Sequence, residues 1–171
     1  MKLSGGYSEG HALEGPQTAE LKRRGRRIAT IKHGHHAFES DQPGRDSWRH
    51  FNEGGAEATL MCGTGKIALT MRIMGEPDPQ SLIAQFYAGR GYDLVLVEGW
   101  KTGALPKVEV FRGAVHDEPL TDRSGRGGFV AVVTDAPARW ADAQIEVIPL
   151  GEDHVARLCD FLEQRFIAHA R

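Results

Sequence analysis

The stretch Asp93-Leu-Val-Leu-Val-Glu98-Gly-Trp-Lys101 decides the fold of this chain. Four consecutive apolar residues, two of them β-branched, predict a strand that is buried on both faces of a parallel sheet. An acid, a glycine and a lysine stand at its carboxyl end, where open α/β sheets bind their ligands. A carboxylate there can hold Mg²⁺ beside a nucleotide phosphate, directly or through water. A role for Glu98 in capping the next turn is as well supported by the residues as a role in binding Mg²⁺.

Outward from this strand, segments of strand and helix pattern alternate along the chain. This alternation predicts a three-layer α/β fold with a largely parallel sheet. Two strand patterns flank the turn Gly63-Thr-Gly65 and predict an added β-hairpin. Charged and apolar residues alternate in the segment 107–112, which predicts a strand with one wetter face. The other predicted strands are 27–32, 58–62, 66–73 and 129–133, and the predicted helices are 19–24, 79–87, 152–168 and one within 44–56 that Asp46 or Ser47 caps.

Composition limits the classes of function. At 171 residues, the chain is expected to form one domain. Its net charge of −2 gives no reason to expect nucleic acid or an anionic membrane surface as a partner. Cys62 and Cys159 lie in apolar surroundings and are expected to be buried, reduced thiols. No apolar run is long enough to span a bilayer and no secretory signal is visible, so a cytoplasmic location is expected.

A histidine cluster follows the strand that ends at Lys32. His33, His35 and His36 lie within four residues, and His50 comes later in the chain. The cluster could bind a transition metal, contact an anionic ligand together with Lys32, or lie in a solvated loop. Anion contact is favoured over a dedicated metal site because the loop leaves the carboxyl edge of a strand and the chain lacks paired cysteines.

The segment Gly63-Thr-Gly-Lys66 imitates part of a phosphate loop. The position five residues before its Gly-Lys pair needs glycine but is Leu60, and Ile67 stands where Ser or Thr would meet Mg²⁺. A hairpin turn therefore explains this segment better.

Two runs of this chain are distinctive: Lys-His-x-His-His at 32–36 and Glu-Gly-aromatic-Lys at 98–101. Together with the segments 21–25, 28–36, 43–50, 54–57, 93–101, 105–109 and 133–135, they cover most of residues 20 to 135. In these segments the chain resembles the MobB family of molybdopterin-guanine dinucleotide biosynthesis adaptors.

The resemblance implies a P-loop NTPase-like fold that binds GTP with Mg²⁺ and usually forms a homodimer. It also implies a role in assisting a guanylyltransferase that attaches GMP to molybdopterin, with at most weak GTPase activity. The residues implied for GTP are Gly6, Tyr7, Ser8, Gly10, Lys32, His33, Asp46, Glu98, Gly99, Lys101, Thr134 and Asp135, of which Asp46 and Glu98 would also hold Mg²⁺. Ordinary capping is as well supported by the residues alone for Asp46 and Asp135, as is a solvated turn for Lys101.

One departure from the family concerns the phosphate loop itself. The family pattern is Gly-aromatic-Ser-Gly-x-Gly-Lys-Thr-Thr, and this chain keeps only Gly6-Tyr7-Ser8 before the lysine and both hydroxyl residues are lost. The lysine would neutralise phosphate charge and the hydroxyl would bind Mg²⁺, whereas Glu9 and Glu14 add negative charge here. Residues 1–18 are therefore interpreted as a degenerate P-loop region and are expected to be irregular.

Three explanations for this departure stay open: a locally altered reading of the gene, a non-binding paralogue, and residual GTP affinity through the other loops. The leading interpretation is a GTP-binding accessory protein of molybdenum cofactor maturation. The alternative is a nucleotide-free dimeric adaptor that binds the transferase or the pterin cofactor.

Overall fold

The structure is a computed structural model that describes residues 2–5, 11–34, 39–100 and 103–168. Internal contacts divide the chain into two compact units, the first comprising Met1–His33 and Pro79–Arg171 and the second Gly34–Asp78. In chain order the described elements are β1 Lys2–Gly5, α1 His11–Arg23, β2 Ile28–Lys32, α2 Asp46–Asn52, β3 Ala58–Gly63, β4 Lys66–Met71, α3 Pro79–Phe86, β5 Leu94–Glu98, β6 Lys107–Phe111, β7 Phe129–Thr134, β8 Glu146–Pro149 and α4 His154–Leu162. Short 3₁₀ turns lie at Arg126–Gly128 and Pro137–Trp140, and a π-helical turn at Glu163–Ile167 extends α4.

The first unit is built on a six-stranded sheet in the order β2-β5-β1-β6-β7-β8. Every pairing in this sheet is parallel. The second unit holds α2 and the antiparallel hairpin of β3 and β4, whose turn lies at the predicted Gly63–Lys66 position. The prediction of an α/β fold with a largely parallel sheet and an added hairpin is confirmed. The prediction of a single domain over 1–171 stays a prediction.

The strands of the sheet bury side chains on both faces, as their apolar runs predict. One face carries Val108, Val133 and Ile148, which pack with Leu21 of α1 and Leu158 of α4. The opposite face carries Phe111 and Val132 and is covered by Trp140. Because burial on both faces is typical of parallel sheets, the alternation of β6 does not produce a wetter face. Lys107 and Glu109 are only 3% exposed, so that part of the prediction is wrong.

The amino-terminal segment is more regular than its sequence predicts. Residues 2–5 form β1, which pairs with both β5 and β6 at the centre of the sheet. Helix α1 begins at His11 rather than at residue 19 and contains Pro16. The expectation of an irregular stretch over residues 1–18 is thus wrong for 2–5 and 11–18, because two neighbouring strands supply the backbone partners of β1. Gly6, Tyr7, Ser8 and Gly10 lie outside the described residues.

Helix α1 ends as its sequence predicts and is tied to α4 by ion pairs. Gly25 adopts a φ of +82° and donates its N–H to the carbonyl of Lys22 at 2.9 Å, which closes the helix. Arg24 contacts Glu20 at 2.7 Å and Glu163 of the π-helical turn at 2.8 Å. Hydrogen bonds from Arg23 and then Arg24 lower the pKa of Glu20 to about 2.

The two cysteines have different environments. Cys159 is buried, and burial raises the pKa of its thiol to about 11. Cys62 lies on β3 and is exposed, so the expectation that both thiols are buried is wrong for Cys62. Within the described ranges, no helix is long and apolar enough to cross a bilayer.

Candidate functional site

The two most distinctive sequence motifs meet at the carboxyl edge of the sheet. Strands β2 and β5 are parallel neighbours, and their register places Lys32 directly beside Glu98. Each motif therefore begins with the last residue of its own strand, at the same edge. The sequence separates the two motifs by more than sixty residues, and the sheet topology brings them together.

Lys32 and Glu98 form an ion pair at this edge. The Nζ of Lys32 lies 2.7 Å from Oε1 of Glu98, with the two side chains 58% and 28% exposed. A pair this exposed contributes about 1 kcal/mol or less to stability, because water and salt screen it. The pair places a cation, a group that binds phosphate oxygens, beside a carboxylate, a group that binds metal ions.

His33 joins the two motifs in two further ways. Its backbone N–H donates to the carbonyl of Glu98 at 2.9 Å. Its ring stacks on Trp100 with centroids 4.3 Å apart and planes inclined by 21°. Trp100 is only 8% exposed, so the stack forms part of the floor of this edge. Sequence reasoning quoted Trp100 only as the family's aromatic position and missed this contact.

Gly99 is required by the close approach of the same two segments. It adopts a φ of +103°, which side chains rarely tolerate, and a Cβ at this position would overlap the backbone of His33. The Glu-Gly-aromatic motif thus has a steric reason for its glycine. Lys101, the last residue of the motif, lies outside the described residues.

Thr134 is the last residue of β7, at the same edge of the sheet, and Asp135 follows it. The Oγ1 of the buried Thr134 accepts a hydrogen bond from the N–H of Ala136 at 3.0 Å. Oδ1 of Asp135 accepts from the N–H of Gly113 at 2.7 Å and so fastens the loop after β6. These contacts agree with the capping alternative, and a contact of either residue with a guanine edge stays a prediction.

Asp46 belongs to the second unit. It is the first residue of α2, and its Oδ1 accepts from the N–H of Ser47 at 2.8 Å. The residue that caps the helix is Arg45, without a side-chain hydrogen bond, so the prediction that Asp46 or Ser47 caps α2 is wrong. The proposed Mg²⁺ ligands Asp46 and Glu98 lie in different units, and their pairing stays a prediction. Among the described residues, no group of three or more His, Cys, Asp or Glu could hold a metal ion.

A cavity of about 500 Å³ lies beside the ion pair, between α1 and the ends of β2 and β5. Lys32, Glu98 and Leu96 line it, together with Gln17 of α1. Gln17 is fully buried, and neither its Oε1 nor its Nε2 has a hydrogen-bond partner. Gln17 stands four residues before the buried Leu21, so helical spacing already places an amide on the apolar stripe of α1.

Buried charges occupy β6, the strand next to β1. Lys107 donates to the carbonyl of Gly103 at 2.7 Å and also to that of Gly127. Glu109 accepts from the N–H groups of Leu120 and Thr121 at 2.7 and 2.9 Å, and burial raises its pKa. Both side chains therefore hold loops in place.

Comparison with known proteins gives the family. The family model of MobB, molybdopterin guanine dinucleotide synthesis protein B, matches residues 18–135, which is more than half of the chain. This chain belongs to the MobB family. The match begins at residue 18, the last residue of the segment interpreted as a degenerate P-loop region, and contains both motifs of the β2–β5 junction.

Curated MobB relatives cover most of the chain. The molybdopterin-guanine dinucleotide biosynthesis adapter protein of Escherichia coli is 35% identical over 149 residues, 83% of this chain and 78% of the relative. The protein of the same name from Haemophilus influenzae is 32% identical over 146 residues, 84% of this chain and 75% of the relative.

Solved MobB structures share the fold. A MobB homologue from Bacillus stearothermophilus superposes with a TM-score of 0.61 at 23% identity, covering 96% of this chain and 97% of that one. Bacillus subtilis MobB superposes with a TM-score of 0.67 at 17% identity, covering 96% and 95%. At these identities the likeness concerns the fold alone, which is of the P-loop NTPase-like α/β type.

Proposed function

We propose that this protein is a homodimeric accessory protein of molybdenum cofactor biosynthesis that binds GTP with Mg²⁺ and assists a guanylyltransferase acting on molybdopterin. The accessory role follows from membership of the MobB family, whose curated relatives are named adapter proteins of molybdopterin-guanine dinucleotide biosynthesis. The nucleotide, the metal, the dimer and the partner enzyme are parts of the proposal.

The observation that carries the nucleotide part is the β2–β5 junction. Lys32, His33, Glu98 and Gly99 converge where parallel α/β sheets receive ligands. Lys32 would contact the phosphate oxygens of GTP. Glu98 would act through Mg²⁺, because a bare carboxylate repels phosphate. On binding, the Lys32–Glu98 pair would open and each charge would gain a new partner.

Calorimetric titration with GTP, with and without Mg²⁺, tests this assignment. Glu98→Gln is expected to weaken Mg²⁺-dependent binding and to leave Mg²⁺-independent binding unchanged or stronger. Lys32→Ala is expected to weaken both. The matched control is Lys66→Ala, which removes an exposed lysine from the hairpin turn that imitates a phosphate loop. Unchanged binding in both junction variants would place the nucleotide site elsewhere.

A second candidate function is a nucleotide-free dimeric adaptor that binds the transferase or the pterin cofactor. The missing P-loop lysine and the buried, unpaired Gln17 in the middle of α1 favour it. The same titration separates the two candidates. If GTP does not bind at millimolar concentration and binding to the transferase is retained, the result supports the adaptor.

A further inference from the structure

We propose that the cavity beside α1 binds a flat heterocyclic ring whose edge presents an N–H group next to a carbonyl, and that the amide of Gln17 recognises this edge. Guanine and pterin, the two rings of the proposed function, both carry such a lactam edge. The inference rests on the proposed function for these two rings. It does not rest on the binding of phosphate or Mg²⁺ at the β2–β5 junction.

Small residues on one side of α1 leave room for the cavity. Gly15, Thr18, Ala19 and Lys22 line it from the helix, and their helical spacing puts them on one stripe. A helix that lies over a sheet ordinarily carries large apolar side chains on the stripe that faces the strands. A Cβ added at Gly15 would meet no described atom within 4 Å outside its own helix, so this stripe borders open space.

Two neighbouring strands form the opposite wall of the cavity. Thr30 of β2 and Leu96 of β5 are register partners, so their side chains share one face of the sheet. Lys32 and Glu98 lie further along the same face, where their ion pair stands at the end of the wall. All the lining residues belong to the first unit. The volume of about 500 Å³ and the apolar wall are typical of sites for small organic molecules.

Gln17 supplies the polar group that such a site needs. It lines the cavity and is fully buried, and its Oε1 and Nε2 find no hydrogen-bond partner in the described part of the chain. A buried amide without partners lowers stability, and an apolar side chain at this position of the core would not. A ligand that pairs with both atoms of the amide would remove this cost.

The amide restricts the chemistry of its partner. An amide carries one acceptor oxygen and one donor nitrogen side by side, so its complement is an edge with a donor beside an acceptor. Oε1 of Gln17 would accept from the ring N–H, and Nε2 would donate to the ring carbonyl. A ring without this edge would leave the amide unpaired, and a site of this kind rejects such a ring.

The first test is titration of the full chain with three neutral ring compounds, without added Mg²⁺. Guanosine and 6-hydroxymethylpterin carry the lactam edge, whereas purine riboside has the ring system and sugar of guanosine but no N–H beside a carbonyl. At least one lactam probe is expected to bind with a Kd below about 1 mM, and purine riboside about tenfold more weakly or worse. The lactam probe that binds more tightly identifies the source of the ring.

The second test removes the recognising amide. Gln17→Leu is expected to weaken binding of the lactam probe about tenfold or more, although the variant resists urea better than the wild type. The matched control is Gln85→Leu at an exposed position of α3, which is expected to bind as the wild type does. A glutamine with a structural role alone would change stability and leave binding unchanged.

The third test fills the cavity and keeps Gln17. Ala19→Leu adds volume on the stripe of α1 that lines the cavity and is expected to weaken binding about tenfold. The matched control is Ala84→Leu, since Ala84 is exposed on α3 and does not line the cavity. This pair of variants decides the matter if Gln17→Leu does not fold.

Three outcomes overturn the proposal. They are a wild type that binds neither lactam probe at millimolar concentration, purine riboside that binds as tightly as the lactam probes, and a folded Gln17→Leu or Ala19→Leu variant that keeps the wild-type affinity. Each leaves the assignment of GTP to the junction untouched, because the probes carry no phosphate and the Lys32 and Glu98 variants report that site separately.

Discussion

Two neighbouring parts of the central sheet differ in whether the side chains expected for nucleotide binding are present. At the β2–β5 junction, Lys32, His33, Glu98 and Trp100 are linked by an ion pair, a backbone hydrogen bond and a ring stack. In the β1–α1 segment, the strand and helix form, but the lysine and hydroxyl groups of a P-loop are missing from the sequence and Gln17 is buried without a partner. The backbone of β1 and α1 therefore forms although the P-loop lysine and hydroxyl residues are absent from the sequence, because neighbouring strands and the core maintain it.

The largest expected effect comes from restoring the missing P-loop residues in the β1–α1 segment. Replacing residues 1–17 with the family's strand, phosphate loop and first helical turns is expected to strengthen GTP binding by about 3 kcal/mol, since a phosphate charge regains a close cation. Calorimetry with Mg²⁺ measures the difference. Equal affinity before and after the replacement would show that the junction alone determines binding.

The next effect tests how tightly the junction is built. Gly99→Ala is expected to cost about 3 kcal/mol of unfolding free energy, because it combines an unfavourable φ with overlap against His33. Gly103→Ala is the matched control: Gly103 has a φ of +108° and nothing within 4 Å of the added Cβ. It is expected to cost about 1 kcal/mol, and urea denaturation compares the two. Similar costs would mean that the contact between Gly99 and His33 is loose.

A smaller effect of opposite sign is expected in α1. Gln17→Leu is expected to stabilise the protein by about 1–3 kcal/mol, because it removes a buried amide that has no hydrogen-bond partner. Gln85→Leu, at an exposed position of α3, is expected to change stability by less than about 0.5 kcal/mol. Destabilisation by Gln17→Leu would indicate that the amide has a partner in solution.

The smallest effect concerns the ion pair of the junction. A double-mutant cycle with Lys32→Met and Glu98→Gln is expected to give a coupling of about 1 kcal/mol or less in unfolding free energy. The same cycle on Mg²⁺–GTP affinity is expected to give a larger coupling. A large coupling in stability instead would make the pair structural and remove the reason to assign it to a ligand.

Much of the fold could be predicted from local pattern. The run Leu94–Val97 predicted a doubly buried strand, and the Gly-Thr-Gly turn predicted the hairpin, because burial and turn conformation restrict residue type locally. The alternation wrongly predicted a wetter face for β6. Lys107 and Glu109 are buried there because backbone groups of loops form hydrogen bonds with their side chains. Local pattern was also wrong for β1, since pairing with β5 and β6 outweighs a weak strand sequence.

For the site, the sequence by itself determined the candidates: the two motifs, the missing phosphate-loop lysine and the family they belong to. Only the tertiary structure decided that Lys32 pairs with Glu98, that Gly99 makes room for His33 and that Thr134 and Asp135 fasten turns. The tertiary structure also decided that one side of the hairpin packs on α2 and the other meets solvent. The physical reason is that residue type fixes what a side chain can bind, whereas strand order and register fix which partner comes within reach.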